Sequence, residues 1–272
     1  MIIEGKVAVV TGAASGIGRA VATELVKRGV AALAAVDRCD PVKHVAATLN
    51  ESAGSKTCVV PFVGDVSDEA FRHAVFDEMV KKYGTPAICV PAAGITRDKL
   101  SVHIDKETGK ATLYPMEDFL TVLKVNLAAP VYWALELVGK VAESRYARGL
   151  KRWEPTEQGE GVVVFIGSVS SLGIRGQIAY SATKAGLDGV NATLMKEAMF
   201  YGVRCAIIHP GFTDTPMVRA MGDKYIAEKI LPQTQLKRLV LPEEIAAAIC
   251  FMISDAAISG DLWVDAGWHP QP

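Results

Sequence analysis

The sequence predicts an α/β fold: a single doubly wound parallel sheet with helices on both faces. Three observations predict it. Short apolar runs alternate with longer helical patterns along the whole chain. The runs are continuously apolar, as strands are when both faces of a sheet are covered. The 272 residues are 50% hydrophobic and show no Pro-, Gly- or Ser-rich linker and no internal repeat. That fits one domain over residues 1–272 with a large core.

Lys6–Val10 reads as the first strand, after which Ile17, Val21 and Leu25 recur at helical spacing. Ala32–Val36, Thr57–Phe62 and Ala87–Val90 read as the next three strands. Gly161–Ile166 and Val203–His209 continue the series, and Asp261–Val264 closes it. Right-handed crossovers between such strands wind the sheet both ways. Two stretches break the rhythm. Lys99–Tyr114 reads as a hairpin insertion, in which Leu100, Val102 and Ile104 alternate with polar residues before a turn at Asp105–Lys110. It follows the fourth strand, on the edge where such sheets bind ligands. Ser144–Glu160 is polar and charged and reads as a surface loop on the opposite edge. Phe212–Arg238 reads as a substrate lid of two short amphipathic helices, with Met217, Val218, Met221, Tyr225, Ile226, Ile230 and Leu231 on the apolar side.

Composition excludes several classes. A formal net charge of −1 gives no electrostatic footprint for nucleic acid or an anionic membrane. No apolar run reaches membrane-spanning length, and the first residues lead straight into a strand with no signal peptide. The cysteines at 39, 58, 89, 205 and 250 form no CxxC pair and read as reduced, buried thiols of a cytoplasmic protein. The histidines at 44, 73, 103, 209 and 269 show no metal-ligand spacing, so no metal site is expected, and His209 reads as a packed strand-end residue.

Thr11–Gly18 carries glycines at 12, 16 and 18 between a strand and a helix. Such a loop lets main-chain N–H groups approach a pyrophosphate at the helix N-terminus. Ser15, Gly16, Ile17 and Gly18 are the residues nearest that anion. Asp37 ends the second strand, 19 residues beyond Gly18, where a carboxylate accepts from an adenosine 2′-hydroxyl and repels a 2′-phosphate. This favours NAD over NADP, although the neighbouring Arg38 is able to bind a phosphate. Asp65-Val66 follows the third strand and reads as an adenine contact or a helix cap. Ser168 follows the Gly161–Ile166 strand, and Tyr180 and Lys184 stand four apart on one helix face. A lysine ammonium one turn away, with a cationic nicotinamide ring, would favour the phenolate and make Tyr180 an acid or base near neutral pH.

In this order the pieces resemble the classical branch of the short-chain dehydrogenase/reductase family, on a Rossmann-type fold. The residues carrying the resemblance are the Thr11–Gly18 loop, Asp65-Val66, Ala93-Gly94, Asn126, Ser168, Tyr180 with Lys184, and Pro210-Gly211. The resemblance implies Tyr180 as acid/base and Lys184 on the nicotinamide ribose. It implies Ser168 on the substrate carbonyl and Asn126 holding a water of a proton relay. It places Gly94 against the cofactor ribose, Pro210-Gly211 on the nicotinamide, and Thr213 and Thr215 at its carboxamide. It also implies a secondary alcohol or ketone as small-molecule substrate and a homotetramer or homodimer, and the lid's apolar side chains suit a medium-sized, mainly apolar substrate. Two departures stand out. Pro91-Ala92-Ala93-Gly94 replaces the usual Asn-Asn-Ala-Gly, and the spacing from Ser168 to Tyr180 is one residue shorter than in many relatives, with Ser170 and Ser171 as nearby alternatives to Ser168. Gly94–Asp98 resembles the corresponding turn of bacterial 3-oxoacyl-carrier-protein reductases, which usually prefer NADPH. Against Asp37 that is read as shared ancestry, with reduction of a 3-oxoacyl thioester as the alternative reading. A non-catalytic nucleotide-binding protein is a third, disfavoured by the presence of Tyr180 and Lys184.

Overall fold

The computed structural model describes residues 1–268; His269, one of the five histidines weighed above, lies outside the described residues. In chain order the elements are β1 (Val7–Thr11), α1 (Gly16–Lys27), β2 (Ala32–Asp37), α2 (Pro41–Ala53), β3 (Cys58–Val63), α3 (Glu69–Tyr83) and β4 (Ile88–Pro91). A hairpin of β5 (Val102–Ile104) and β6 (Ala111–Leu113) follows. Then come α4 (Met116–Leu123), α5 (Ala129–Ala147), β7 (Gly161–Ile166), α6 (Ile178–Glu197), β8 (Val203–Pro210), α7 (Pro216–Arg219), α8 (Asp223–Tyr225), α9 (Pro242–Ser254) and β9 (Gly260–Val264).

The seven-stranded sheet runs β3-β2-β1-β4-β7-β8-β9, with every pair parallel. The strand order reverses between β1 and β4, so the carboxyl ends of these strands open a crevice there. Alternate residues of each strand feed two layers. Val7 and Val9 join Phe76, Trp133 and Leu187, while Ala8 and Val10 join Leu25, Leu49 and Ile249. Burying such a side chain contributes roughly 1.5–3 kcal/mol, so the sheet is a rigid base for whatever its edge carries.

Three boundaries differ from the sequence reading. First, α4 and α5 form one continuous helix, Met116–Ala147, through a wider turn at Lys124–Ala128. This helix is long and apolar enough to cross a membrane by length and composition only, a test that a buried core helix also passes. Its Trp133, Leu137 and Val141 are buried against the sheet, which makes it a core helix here. Second, Ser144–Ala147 are the last turn of α5 rather than loop. Arg145 holds that turn: its buried guanidinium pairs with Glu157 at 2.7 Å and Glu160 at 2.9 Å and folds the following loop back. Third, the alternation in the hairpin finds nothing to bury against, and Val102, Ile104 and Leu113 are all exposed. Cys39 is likewise exposed, whereas Cys89, Cys205 and Cys250 are buried.

Candidate active site

On one side of the crevice, the loop between β1 and α1 is shaped by what a side chain would strike. Gly12 and Gly16 have φ of 70° and 52°, values that L side chains rarely adopt. A Cβ on Gly12 would lie 2.9 Å from the Ala93 nitrogen, and one on Gly18 would collide with the Gly12 carbonyl oxygen. One on Gly16 would lie 3.1 Å from Thr215 Cγ2. Ser15 is the N-cap residue of α1, and its side chain makes no capping bond. The first N–H groups of α1, those of Ile17 and Gly18 among them, therefore lack that side-chain partner. Asp37 braces the loop: its Oδ2 accepts from Ala14 N–H at 3.0 Å and its Oδ1 from Cys39 N–H at 3.2 Å. Arg38 is exposed. Asp65 accepts from the Ser67 hydroxyl and N–H at 2.6 and 2.8 Å, which holds its carboxyl below the usual range. The cap of α3 is Asp68, which accepts from Phe71 N–H. The Val66 carbonyl accepts from Trp133 Nε1–H at 2.8 Å. In the altered turn after β4, the Ala93 N–H donates to Thr11 Oγ1 at 3.1 Å, so one pin survives the loss of the two asparagines.

On the other side, β7 ends just before Ser168, and α6 carries Tyr180 and Lys184 one turn apart. Lys184 Nζ is buried, donates to the Ile166 carbonyl at 2.7 Å, and stands 5.4 Å from the centre of the Tyr180 ring. Burial pushes the ammonium down to about 8. Burial also pushes the Tyr180 phenol up to about 12; a hydrogen bond from Ser168 opposes this and the charge of Asp98 adds to it. The sequence reading invokes Lys184 together with a bound nicotinamide; in the protein alone the amine lies over the ring face, and burial moves each group toward its neutral form. Ser168 Oγ accepts from Ser170 N–H at 3.0 Å, which orients the hydroxyl. Asn126 lies in the wider turn, fully buried. Both ends of its amide are taken by Ile95: Oδ1 accepts from its N–H and Nδ2 donates to its carbonyl, each at 2.8 Å. Gly94 passes directly over this amide, where a Cβ would lie 3.5 Å from Oδ1. Pro130, four residues on, has no N–H to give the Asn126 carbonyl, and this accounts for the wider turn.

Residues 12–269 match the family model described as enoyl-(acyl carrier protein) reductase. The chain belongs to the short-chain dehydrogenase/reductase family. It is therefore an oxidoreductase acting on CH–OH or keto groups. Among its relatives, the 3-oxoacyl-(acyl-carrier-protein) reductase of Salmonella typhimurium is 31% identical, covering 99% of both chains. That of Thermotoga maritima is 33% identical, covering 98% of this chain and 99% of the relative. A crystal structure of ribose-5-phosphate isomerase from Brucella melitensis 16M is similar with a TM-score of 0.78 at 29% identity, over 97% of this chain and 92% of that one. The likeness to 3-oxoacyl reductases therefore spans the chain and is not confined to the Gly94–Asp98 turn.

In this short-chain dehydrogenase/reductase the cleft beside Tyr180 has an apolar wall of Phe212, Met217, Val218 and Met221, facing Asp98 and Gln177. Gln177 Nε2 donates to Asp98 at 2.8 Å and ties the chain after β4 to the start of α6. Ile226 and Ile230 do not line the cleft; they form a small core with Leu239 that anchors the segment above it. Thr213 Oγ1 donates to the Gly211 carbonyl at 3.0 Å, and Thr215 caps the short helix α7 through Val218 N–H. Pro210 ends β8, so Gly211 and the two threonines follow at the carboxyl end of the sheet, where the crevice opens. Arg238 pairs with Glu244 and Lys237 with the Pro232 carbonyl, so neither points freely at a substrate. Sequence reasoning missed Gln177, and it missed the contacts of His209. His209 is packed at its strand end as expected, but its ring nitrogens meet Ser168 and Asp188. The one available signal was Asp188, four residues after Lys184 on the same helix.

Proposed function

We propose that the chain transfers hydride between NAD(H) and a secondary alcohol or ketone, with Tyr180 as acid/base. The observation that carries this is the meeting of Tyr180 and Ser168 in one cleft, with the buried ammonium of Lys184 over the Tyr180 ring. The residues fit a nicotinamide dinucleotide. Gly12, Gly16 and Gly18 let the loop pack closely against Ala93, Thr215 and its own backbone at the N-terminus of α1, where a pyrophosphate would sit. Asp37 puts a carboxylate beside that loop, which supports NAD over NADP. Asp65 and Val66 would flank the adenine, and Lys184 the nicotinamide ribose. When bound, the nicotinamide supplies or accepts the hydride.

The protein's own groups handle the proton and the orientation. With its phenol pushed up to about 12, Tyr180 holds its proton at neutral pH, ready to give it to the oxygen of a ketone being reduced. In alcohol oxidation it must first lose that proton, so oxidation speeds up as pH rises. Ser168 donates to the same substrate oxygen while Ser170 N–H fixes its Oγ. The Asn126 side chain is spent on Ile95, so its carbonyl, lacking a donor at Pro130, is the group we assign to the relay water. Thr213 and Thr215 would meet the carboxamide. Exposed Leu120, Tyr132 and Leu135 along the long helix support packing into a homodimer or homotetramer.

A second reading, reduction of a 3-oxoacyl thioester, is favoured by the printed names of the relatives and by the methionine-rich cleft wall. The test is absorbance at the reduced-nicotinamide band with secondary alcohols, ketones and 3-oxoacyl thioesters, each with both nucleotides. Turnover of simple alcohols with NAD is expected. Turnover confined to thioesters would transfer the assignment to the second reading, and NADPH preference would overturn the role given to Asp37.

A further inference from the structure

We propose that His209, held by Asp188, is a positioning residue that fixes the peptide of Ser168. The proposal rests on the active-site reading above, in which Ser168 meets the substrate oxygen. His209 lies at the end of β8, next to β7, and its side chain is 3% exposed. Its ring stacks on Trp263 at 4.3 Å with the planes 14° apart, which sets the ring's plane. Gly167 lets the ring reach the neighbouring main chain: a Cβ there would lie 2.6 Å from Nδ1. Nδ1 stands 3.3 Å from the Ser168 nitrogen and 3.3 Å from the Ser168 carbonyl oxygen. Nε2 stands 3.4 Å from Asp188 Oδ1.

These distances form a connected arrangement. When Ser168 N–H donates to Nδ1, the ring's own proton is on Nε2 and faces Asp188. Asp188 lies one turn beyond Lys184 on α6. The helix that presents Tyr180 and Lys184 thus also sets a carboxylate 3.4 Å from the ring that holds Ser168. Ser168 itself has extended backbone, φ −172° and ψ 155°, which any residue adopts. Its own conformational preference therefore does not fix it; the hydrogen bonds to His209 and Ser170 do. Acyl or carbonyl chemistry is sensitive to displacements of such a donor by about 1 Å.

Three variants test this: His209→Leu removes both nitrogens, His209→Asn restores a polar atom near the place of Nδ1, and Asp188→Ala removes only the anchor. The readouts are hydrogen–deuterium exchange of a peptide covering 165–172, kcat and KM, and the NADH dissociation constant by fluorescence. In His209→Leu, exchange of that peptide is expected to rise at least tenfold. Turnover should fall ten- to a hundredfold with the NADH dissociation constant within threefold. His209→Asn should recover most of both, and Asp188→Ala should move both in the same direction by less. Unchanged exchange in His209→Leu would overturn the proposal, and so would a loss that His209→Asn leaves unrepaired. If the leucine variant fails to fold, Asp188→Ala decides by the same exchange readout, since Asp188 is 43% exposed and its loss leaves the core intact. The exchange arm needs no turnover, so it stands even if the assignment of the reaction fails.

Discussion

The two sides of the crevice are built from different material. Around β1, α1 and β2 the chain offers main-chain N–H groups, bare glycines and one exposed-edge carboxylate, Asp37. Around β7, α6 and β8 it offers side chains: buried Lys184 and His209, with Tyr180 and the half-exposed Asp188 against them. The first side is specified by local spacing and tolerates no added atom. The second is specified by distant partners, and it carries an energetic burden because ionisable groups have lost their solvent.

That contrast is open to direct attack. The largest effect on cofactor binding is expected at Gly18→Ala, whose methyl would collide with the Gly12 carbonyl. The loop must move, and the NADH dissociation constant should rise at least a hundredfold in a fluorescence titration. A rise of less than tenfold would mean that the loop yields easily and is not the rigid half. Lys184→Met probes the other side. Burial lowers this ammonium from 10.5 to about 8, which corresponds to about 3 kcal/mol lost from stability when it is charged. The unfolded chain binds more protons between those two values, so the burden is full below about 8 and disappears above 10.5. Losing the charge-assisted bond to the Ile166 carbonyl offsets about 2 kcal/mol of that. Urea unfolding at pH 7 should therefore show the methionine variant more stable by about 1 kcal/mol, with the gain shrinking as pH rises past 8, while turnover falls at least a hundredfold. A destabilised variant would contradict the idea that this half trades stability for chemistry. The smallest effect is expected at Asp37→Ser, where the ratio of turnover with NAD to that with NADP should fall about tenfold. An unchanged ratio would remove Asp37 as the selector.

The same contrast explains how much was legible in the sequence. The alternation of strands and helices, the doubly wound sheet and the Thr11–Gly18 loop follow from local pattern, and strand ends moved by only a residue or so. Tyr180 and Lys184 were visible as neighbours because a helix fixes the spacing of residues four apart. Their proton affinities were not visible, since spacing says nothing of burial. Asn126 meets Ile95 from 31 residues away, and Gln177 meets Asp98 from 79 residues away. No local pattern encodes such meetings. Pro130 is an intermediate case: its missing N–H was in plain sight, but the wider turn it causes needed the structure. The hairpin shows the reverse failure, an alternating pattern whose apolar side chains find no cover within one chain.

The central claim is that the phenol of Tyr180 exchanges the proton while the rest of the cleft holds position. The measurement that tests it most directly is turnover of Tyr180→Phe in the reduced-nicotinamide assay, paired with NADH binding by fluorescence. The account predicts a fall of about a thousandfold or more in kcat with the dissociation constant within threefold, because only the hydroxyl is removed. Activity within tenfold of the original chain, with binding intact, would contradict it.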